Sequence, residues 1–446
     1  MQQCDILIDG CRVLLPDMTV SGTCSVVIDK KKIQEIGDPE ELRNKYSGKT
    51  VLRATGKLLM PGLTDAHTHV CQTLLRGRTA DEYPMVWTRF LVPFESNLSP
   101  EDTFVSTQLA CLEMIKSGTT SFAESGGVHM DQAAEAIIQS GMRAALAKST
   151  MDSGNVVDGN MKENAEEAIA HTIDLYNAYH GAGDGRIEVF FAIRQLMTCS
   201  EKLLHMVKEE AAARNTGIHM HLCEHRDEVS FCLQKYRMRP AQFLHSIGLL
   251  SDRLLAAHSV MLTEKDIQLL AENHVNIVHC PRSNLAGHGF PNTPAILRAG
   301  SPIGIGSDGS ATNGMDLFDE MKIFRYAMLC HWGLAVFDPV LMTSETLFRM
   351  ATQGGAFALG HGNDLGKIAV GQKADVILID TQQPHLYPTQ KPMSTLLDCT
   401  SGRDVTDSII DGKIVMKDRE VLTLDEERIM YESKIHMDEI IRRAAL

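Results

Sequence analysis

Several classes of protein are excluded by what the sequence lacks. Its eleven cysteines are scattered and none forms a C-x-x-C pair, which leaves no paired-cysteine zinc knuckle and no dithiol redox motif. No apolar run approaches the ~18 residues that a bilayer-spanning helix needs. The opening Met1-Gln2-Gln3-Cys4-Asp5 has neither a basic nor an apolar stretch, so no signal peptide is expected. Positive charge is also short: the formal net charge is −14, which argues against a nucleic-acid surface and against attraction to anionic membranes. Low-complexity segments and long linkers are missing. These absences point to a protein of the reducing cytoplasm, with free thiols mostly buried as small apolar side chains.

What is present is an ordinary globular composition over 446 residues, 44% hydrophobic and 22% charged, enough for two or three domains or one large barrel with an appendage. Residues 1–57 read as short strands with turns, as in Asp5-Ile6-Leu7-Ile8-Asp9-Gly10 and Ser25-Val26-Val27-Ile28. The phrase returns near the far end as Ser408-Ile409-Ile410-Asp411-Gly412, and Ala374-Asp375-Val376-Ile377-Leu378-Ile379 is another apolar strand. One small β-sandwich built from 1–57 and 367–420 is therefore expected. Between them, over 58–366, eight short β-rich runs alternate with segments of helical spacing such as 103–117 and 201–215. That alternation predicts an α/β fold of the (β/α)8 TIM-barrel type. Residues 421–446, rich in Glu, Arg, Lys and Ile, read as a charged helical tail.

The polar residues that end the barrel strands carry the chemistry, because a barrel of this kind builds its active site at the C-terminal strand ends. His67 and His69 close the first predicted strand, and as alternate residues of an extended chain they share a face. His221 and Glu224 follow the fifth strand, His258 the sixth, His279 the seventh and Asp308 the eighth. Neutral imidazoles with one carboxylate suit a divalent ion of the zinc or ferrous type, which lowers the pKa of its water from ~15.7 to about 7. Asp308 is placed to accept a proton from that water, Glu224 to donate one to the substrate, and His279 to orient the attacking oxygen or stabilise the intermediate. His221-Leu222-Cys223-Glu224-His225 also fits H-x-x-E-H, a zinc-peptidase pattern that needs both histidines on one helix face. Here the segment reads as a strand entering a turn. The P-C-x-x-C signature of cytidine-deaminase zinc sites does not occur.

Together His67-x-His69, His221-x-x-Glu224, His258, His279-Cys280-Pro281-x-Ser283-Asn284 and Gly306-Ser307-Asp308-Gly309 resemble the amidohydrolase superfamily. The resemblance covers nearly the whole chain and is closest to the deaminase/chlorohydrolase branch: adenosylhomocysteine/methylthioadenosine deaminases, guanine deaminases and triazine hydrolases. It implies a barrel flanked by a β-sandwich from both termini, with metal ligands at His67, His69, His221, His258 and Asp308 and with His219 a neighbour. The two-metal members of the family end the fourth strand with a carboxylated lysine. This chain reads Ala192-Ile193-Arg194 there, so one divalent ion, Zn2+ or Fe2+, is expected.

The resemblance also implies substrate contacts from Trp87, Glu95 and Arg143. Arg194 stands where nucleoside-type members carry a histidine, and an arginine there donates to a carbonyl oxygen or ring nitrogen. Residues 155–162 offer no counterpart to the arginine expected for an adenosylhomocysteine carboxylate, and the Leu285-Ala286-Gly287-His288-Gly289-Phe290 stretch departs from the family pattern. The expected activity is hydrolytic deamination of an amino-substituted purine, purine nucleoside or pterin. A triazine chlorohydrolase or aminohydrolase is the alternative on the same fold; a zinc peptidase and a noncatalytic metal-binding protein are the readings from other classes. The resemblance further suggests a homodimer or larger assembly.

Overall fold

In the computed structural model, which describes residues 1–82, 85–154 and 161–446, eight parallel strands form the centre of the molecule. They are β1 (Leu63–His69), β2 (Thr119–Gly127), β3 (Arg143–Lys148), β4 (Ile187–Ile193), β5 (Ile218–Leu222), β6 (Leu254–His258), β7 (Asn276–His279) and β8 (Ile303–Ile305). Each pairs in parallel with the next in sequence. Just beyond β8 the chain pairs with β1, Asp308 opposite Thr68 and Gly309 opposite His69, which closes the barrel. Closure depends on Gly306, where a Cβ would lie 2.6 Å from the His67 carbonyl oxygen and 2.9 Å from the His67 Cβ. All eight strands lie where the sequence places them, because they are buried almost throughout and so read as short runs rich in apolar residues.

The intervening helices are set by local signals. Pro100–Ser117, here α1, starts at a capping box between Ser99 and Asp102 and stops at Gly118, whose φ of 89° only glycine adopts cheaply. Glu201–Ala213 begins at Ser200, whose side chain accepts from the Leu203 N–H. The tail contains one long helix, α3 (Glu426–Ala444), and α2 (Arg226–Tyr236) follows β5. The ion pair between Asp102 and Arg443 and the 2.6 Å contact of His436 Nδ1 with Asp102 fasten α3 to the start of α1.

The terminal strands make a second sheet of nine, in which Val376–Asp380 pairs antiparallel with Lys57–Pro61. The long first strand, Gln2–Val13, bulges near Gly10 and serves both halves of that sheet. Ile6, Ile8, Val26 and Ile28 from one half share a core with Leu59, Val376, Leu378 and Ile409 from the other, so the expected sandwich is one sheet folded across itself. Lys57–Pro61 runs through Gly62 into β1, and the strand that carries His67 and His69 is thereby held by the C-terminal part of the chain. Among the described residues no helix is long and apolar enough to cross a membrane.

Candidate active site

At the C-terminal mouth of the barrel, four of the five expected ligands converge. One ligand atom from each of His67, His221, His258 and Asp308 lies within 4.8 Å of all the others. The fifth, His69, stands beside them, its Nε2 3.3 Å from His221 Nε2 and 3.5 Å from Asp308 Oδ1. His67 Nε2 is 3.3 Å from the same carboxylate oxygen. His67 and His258 are completely buried, yet their Nε2 atoms have no hydrogen-bond partner among the described residues. Unpartnered buried nitrogens that converge on a carboxylate are costly unless something binds them, and an N,N,N,O set of this kind fits a divalent ion of the zinc or ferrous type.

The charge states agree with that use. Burial keeps the imidazoles of His69 and His221 neutral by pushing their pKa well down, and that of His258 down to about 4. Burial alone would raise Asp308, but His258 and His67 beside it hold its carboxyl well below the usual carboxylate range. His258 and Asp308 also adopt left-handed backbone, at φ 69° and 62°. Such conformations in non-glycine residues cost energy and concentrate at functional positions.

Further polar side chains contact these histidines and the segment of Asp308 from behind. His219 Nε2 meets His67 Nδ1 at 2.7 Å, so it stands next to an expected ligand, where the family resemblance puts it as a neighbour. Asn284 lies 2.9 Å from His258 Nδ1, and the Ser125 hydroxyl 2.9 Å from His69 Nδ1. Asp65 accepts hydrogen bonds from the backbone N–H and the hydroxyl of Ser307, at 3.0 and 2.5 Å, and so ties the strand of His67 to the segment of Asp308. Sequence reasoning passed over Asp65, although it lies two residues before His67 and so on the same face.

The residues expected to act as acid and base flank this centre. Glu224 Oε2 accepts from Gln195 Nε2 at 3.0 Å, and Oε1 lies 3.9 Å from His258 Nε2. Burial acts to raise its pKa, and His258 and His288 overcome that, so the carboxyl is ionised and able to take up a proton before giving one away. His279 donates from Nδ1 to the His258 carbonyl oxygen at 2.8 Å. Burial brings its pKa down to about 4, so its Nε2 is a bare acceptor suited to orienting a water. His225 caps α2 and its ring lies 5.8 Å from that of His288, while His221 is in a strand. The single helix that H-x-x-E-H peptidase chemistry needs is therefore not formed.

Three of the four expected substrate residues belong to this end of the barrel. Glu95 is fully buried, accepts from Gln72 Nε2 at 2.5 Å and lies 3.7 Å from Arg194. Arg194 also donates to the Gly126 carbonyl at 3.2 Å, and its charge reaches His69 and His221. Trp87 joins the apolar cluster that holds Phe94 and Leu98. Arg143, expected to contact the substrate, lies elsewhere. It begins β3, at the end opposite the histidines, and is bound by Asp375 at 2.8 Å and Asp411 at 3.2 Å from the terminal sheet. It is a structural residue with no route to the site. Of the stretch that lacks a second arginine, 155–160 lie outside the described residues.

Glu228, one turn into α2, receives the Glu224 backbone N–H at 3.3 Å. Burial, and then the charge of Glu224, pushes its carboxyl from 4.5 up to about 8. A folded-state pKa above the unfolded one favours folding below the unfolded value, and that contribution is lost as pH rises through about 8. Glu228→Gln is therefore expected to match the wild type in melting temperature near pH 5 and to exceed it near pH 9, by at most about 5 kcal/mol in stability. An equal difference at both pH values would contradict the assignment.

Among known proteins, residues 58–415 match the model of the amidohydrolase family, so the chain belongs to that family. A 5-methylthioadenosine/S-adenosylhomocysteine deaminase from Pelotomaculum thermopropionicum is 37% identical over 98% of this chain and 99% of its own. A 5′-deoxyadenosine deaminase from Methanosarcina acetivorans is 36% identical over 99% of both. An adenosine deaminase from Xanthomonas campestris, solved with bound zinc, superposes with a TM-score of 0.92 at 31% identity, over 98% of this chain and 99% of that one.

Proposed function

We propose that the protein is a hydrolytic deaminase of an amino-substituted purine-type heterocycle that uses one zinc ion. The observation that carries this reading is the set of acid–base side chains, Glu224, His279 and Asp308, around a convergent cluster of buried histidine nitrogens. His67, His69, His221, His258 and Asp308 would hold the ion, which when bound makes a water reactive at neutral pH. The zinc-bound adenosine deaminase structure supports zinc as its identity.

Deamination replaces an amino group by oxygen, so the two protons of one water must reach the ring nitrogen and the departing ammonia. Glu224, ionised and held by Gln195, takes the first and delivers it to the ring nitrogen beside the attacked carbon. Asp308 takes the second and passes it to the amino group. The bare Nε2 of His279 aligns the attacking oxygen. Trp87, Glu95 and Arg194 contact the rest of the substrate. Gln72 donates to the Glu95 carboxylate and Arg194 lies 3.7 Å from it; the Arg194 guanidinium, a donor only, suits a ring that bears a carbonyl oxygen or an acceptor nitrogen.

The test is ammonia release from a panel of aminopurines, adenosine-type nucleosides, aminopterins and aminotriazines by zinc-reconstituted protein. Ammonia in step with ring oxidation level unchanged is expected from a purine-type or pterin ring. Release of chloride or alkylamine from triazines alone would instead favour the chlorohydrolase reading.

A further inference from the structure

His288 belongs to the stretch that departs from the family pattern, and no step assigned above uses it. Its surroundings make it more than a loop residue. Asn284–His288 forms a single wide helical turn of the i→i+5 kind, closed by the Gly289 N–H on the Asn284 carbonyl at 2.7 Å. Such turns are rare and recur at functional sites. This one is anchored at its start: the Asn284 side chain accepts from the Cys280 N–H at 3.0 Å and touches His258 Nδ1 at 2.9 Å. At its end Gly289 adopts φ 120°, a conformation that side-chain-bearing residues rarely take. The turn returns His288 over the barrel mouth, where Nε2 lies 3.2 Å from Glu224 Oε1.

A carboxylate oxygen accepts, so the imidazole N–H donates. Glu224 then has a side-chain nitrogen beside each oxygen: Gln195 donates to Oε2 at 3.0 Å, and His288 Nε2 makes a 3.2 Å ion-pair contact with Oε1. With its own N–H on Glu228 at 3.3 Å, the residue is held at three points. Proton transfer to a ring nitrogen needs the donor oxygen within hydrogen-bond reach and aligned, and a carboxylate free to rotate spends little time there. The side chain of His288 is 23% exposed against 14% for Glu224, so it sits on the solvent side of the acid it restrains.

We propose that His288 is a positioning residue for Glu224, its Nε2–H holding the carboxylate in the orientation that serves the substrate's ring nitrogen. The proposal rests on the deaminase reading for its kinetic consequence. In zinc-loaded enzyme, His288→Leu is expected to lower kcat about 10- to 100-fold with KM, metal content and melting temperature little changed. His288→Gln, which keeps an N–H at the same reach, is expected to restore kcat to within about threefold of wild type. Wild-type kcat in the Leu variant, a Gln variant as impaired as the Leu one, or loss of zinc alongside kcat would each overturn it. A readout without turnover separates this from the deaminase reading. In 1H–15N spectra of histidine-labelled, zinc-loaded protein, the His288 resonances, identified by their loss in His288→Gln, should shift on Glu224→Leu. An unchanged His288 signal would overturn the contact whatever the activity. A wild type that releases no ammonia would overturn the deaminase reading instead, and the spectrum alone would then decide the contact.

Discussion

Replacement of Asp308 by asparagine is expected to lower turnover by at least about 10³-fold while the protein still folds. An amide keeps the volume of the side chain and tolerates the left-handed backbone at this position, φ 62°. What it loses is the negative charge and the ability to take a proton. Both are specific to the site: Asp308 Oδ1 lies 3.3 Å from His67 Nε2 and 3.5 Å from His69 Nε2, and these neighbours, with His258, keep the carboxyl ionised. An ammonia-coupled assay beside a thermal melt checks the prediction. Near-wild-type turnover in Asp308→Asn would remove Asp308 from the proton path.

The second large effect is on stability. Arg143→Met is expected to cost about 3–5 kcal/mol, because it leaves buried carboxylates without their counter-charge. Arg143 is 1% exposed and donates to both oxygens of Asp375, at 2.8 and 3.2 Å, and to Asp411 at 3.2 Å. Asp411 in turn donates its N–H to Asp375 at 2.8 Å. The triad joins the base of the barrel to the terminal sheet, so the loss should appear as an earlier denaturant midpoint. The KM of the folded fraction should stay unchanged. Unaltered stability with a raised KM would return Arg143 to the substrate.

Arg143 also shows where sequence reading reaches its limit. Strands buried on both faces announce themselves as short apolar runs, and the residues that end them fall at the barrel mouth, which is why His67, His69, His221, His258, His279 and Asp308 were legible together. A residue that begins a strand falls at the opposite end, and Arg143 follows Gly141-Met142 at the start of β3. That position, read against the barrel rule, assigns it to the base and outweighs motif similarity. Asp65 was legible in principle, since it shares the alternate-residue face of His67. His288 was not: its placement depends on an i→i+5 turn that no local propensity specifies, and the sequence marks it only as a departure. The Arg194–Glu95 pair joins residues 99 positions apart across a barrel, and such contacts follow from closure of the sheet.

We propose that the histidine–aspartate cluster holds a single metal ion on which deamination depends. It is tested most directly by removing metal with a chelator and measuring ammonia release as zinc is returned, with bound metal counted in the same samples. Activity should vanish with the metal and recover in proportion to it, saturating at one equivalent per chain. Full activity in metal-free protein, or saturation only at two equivalents, would contradict it.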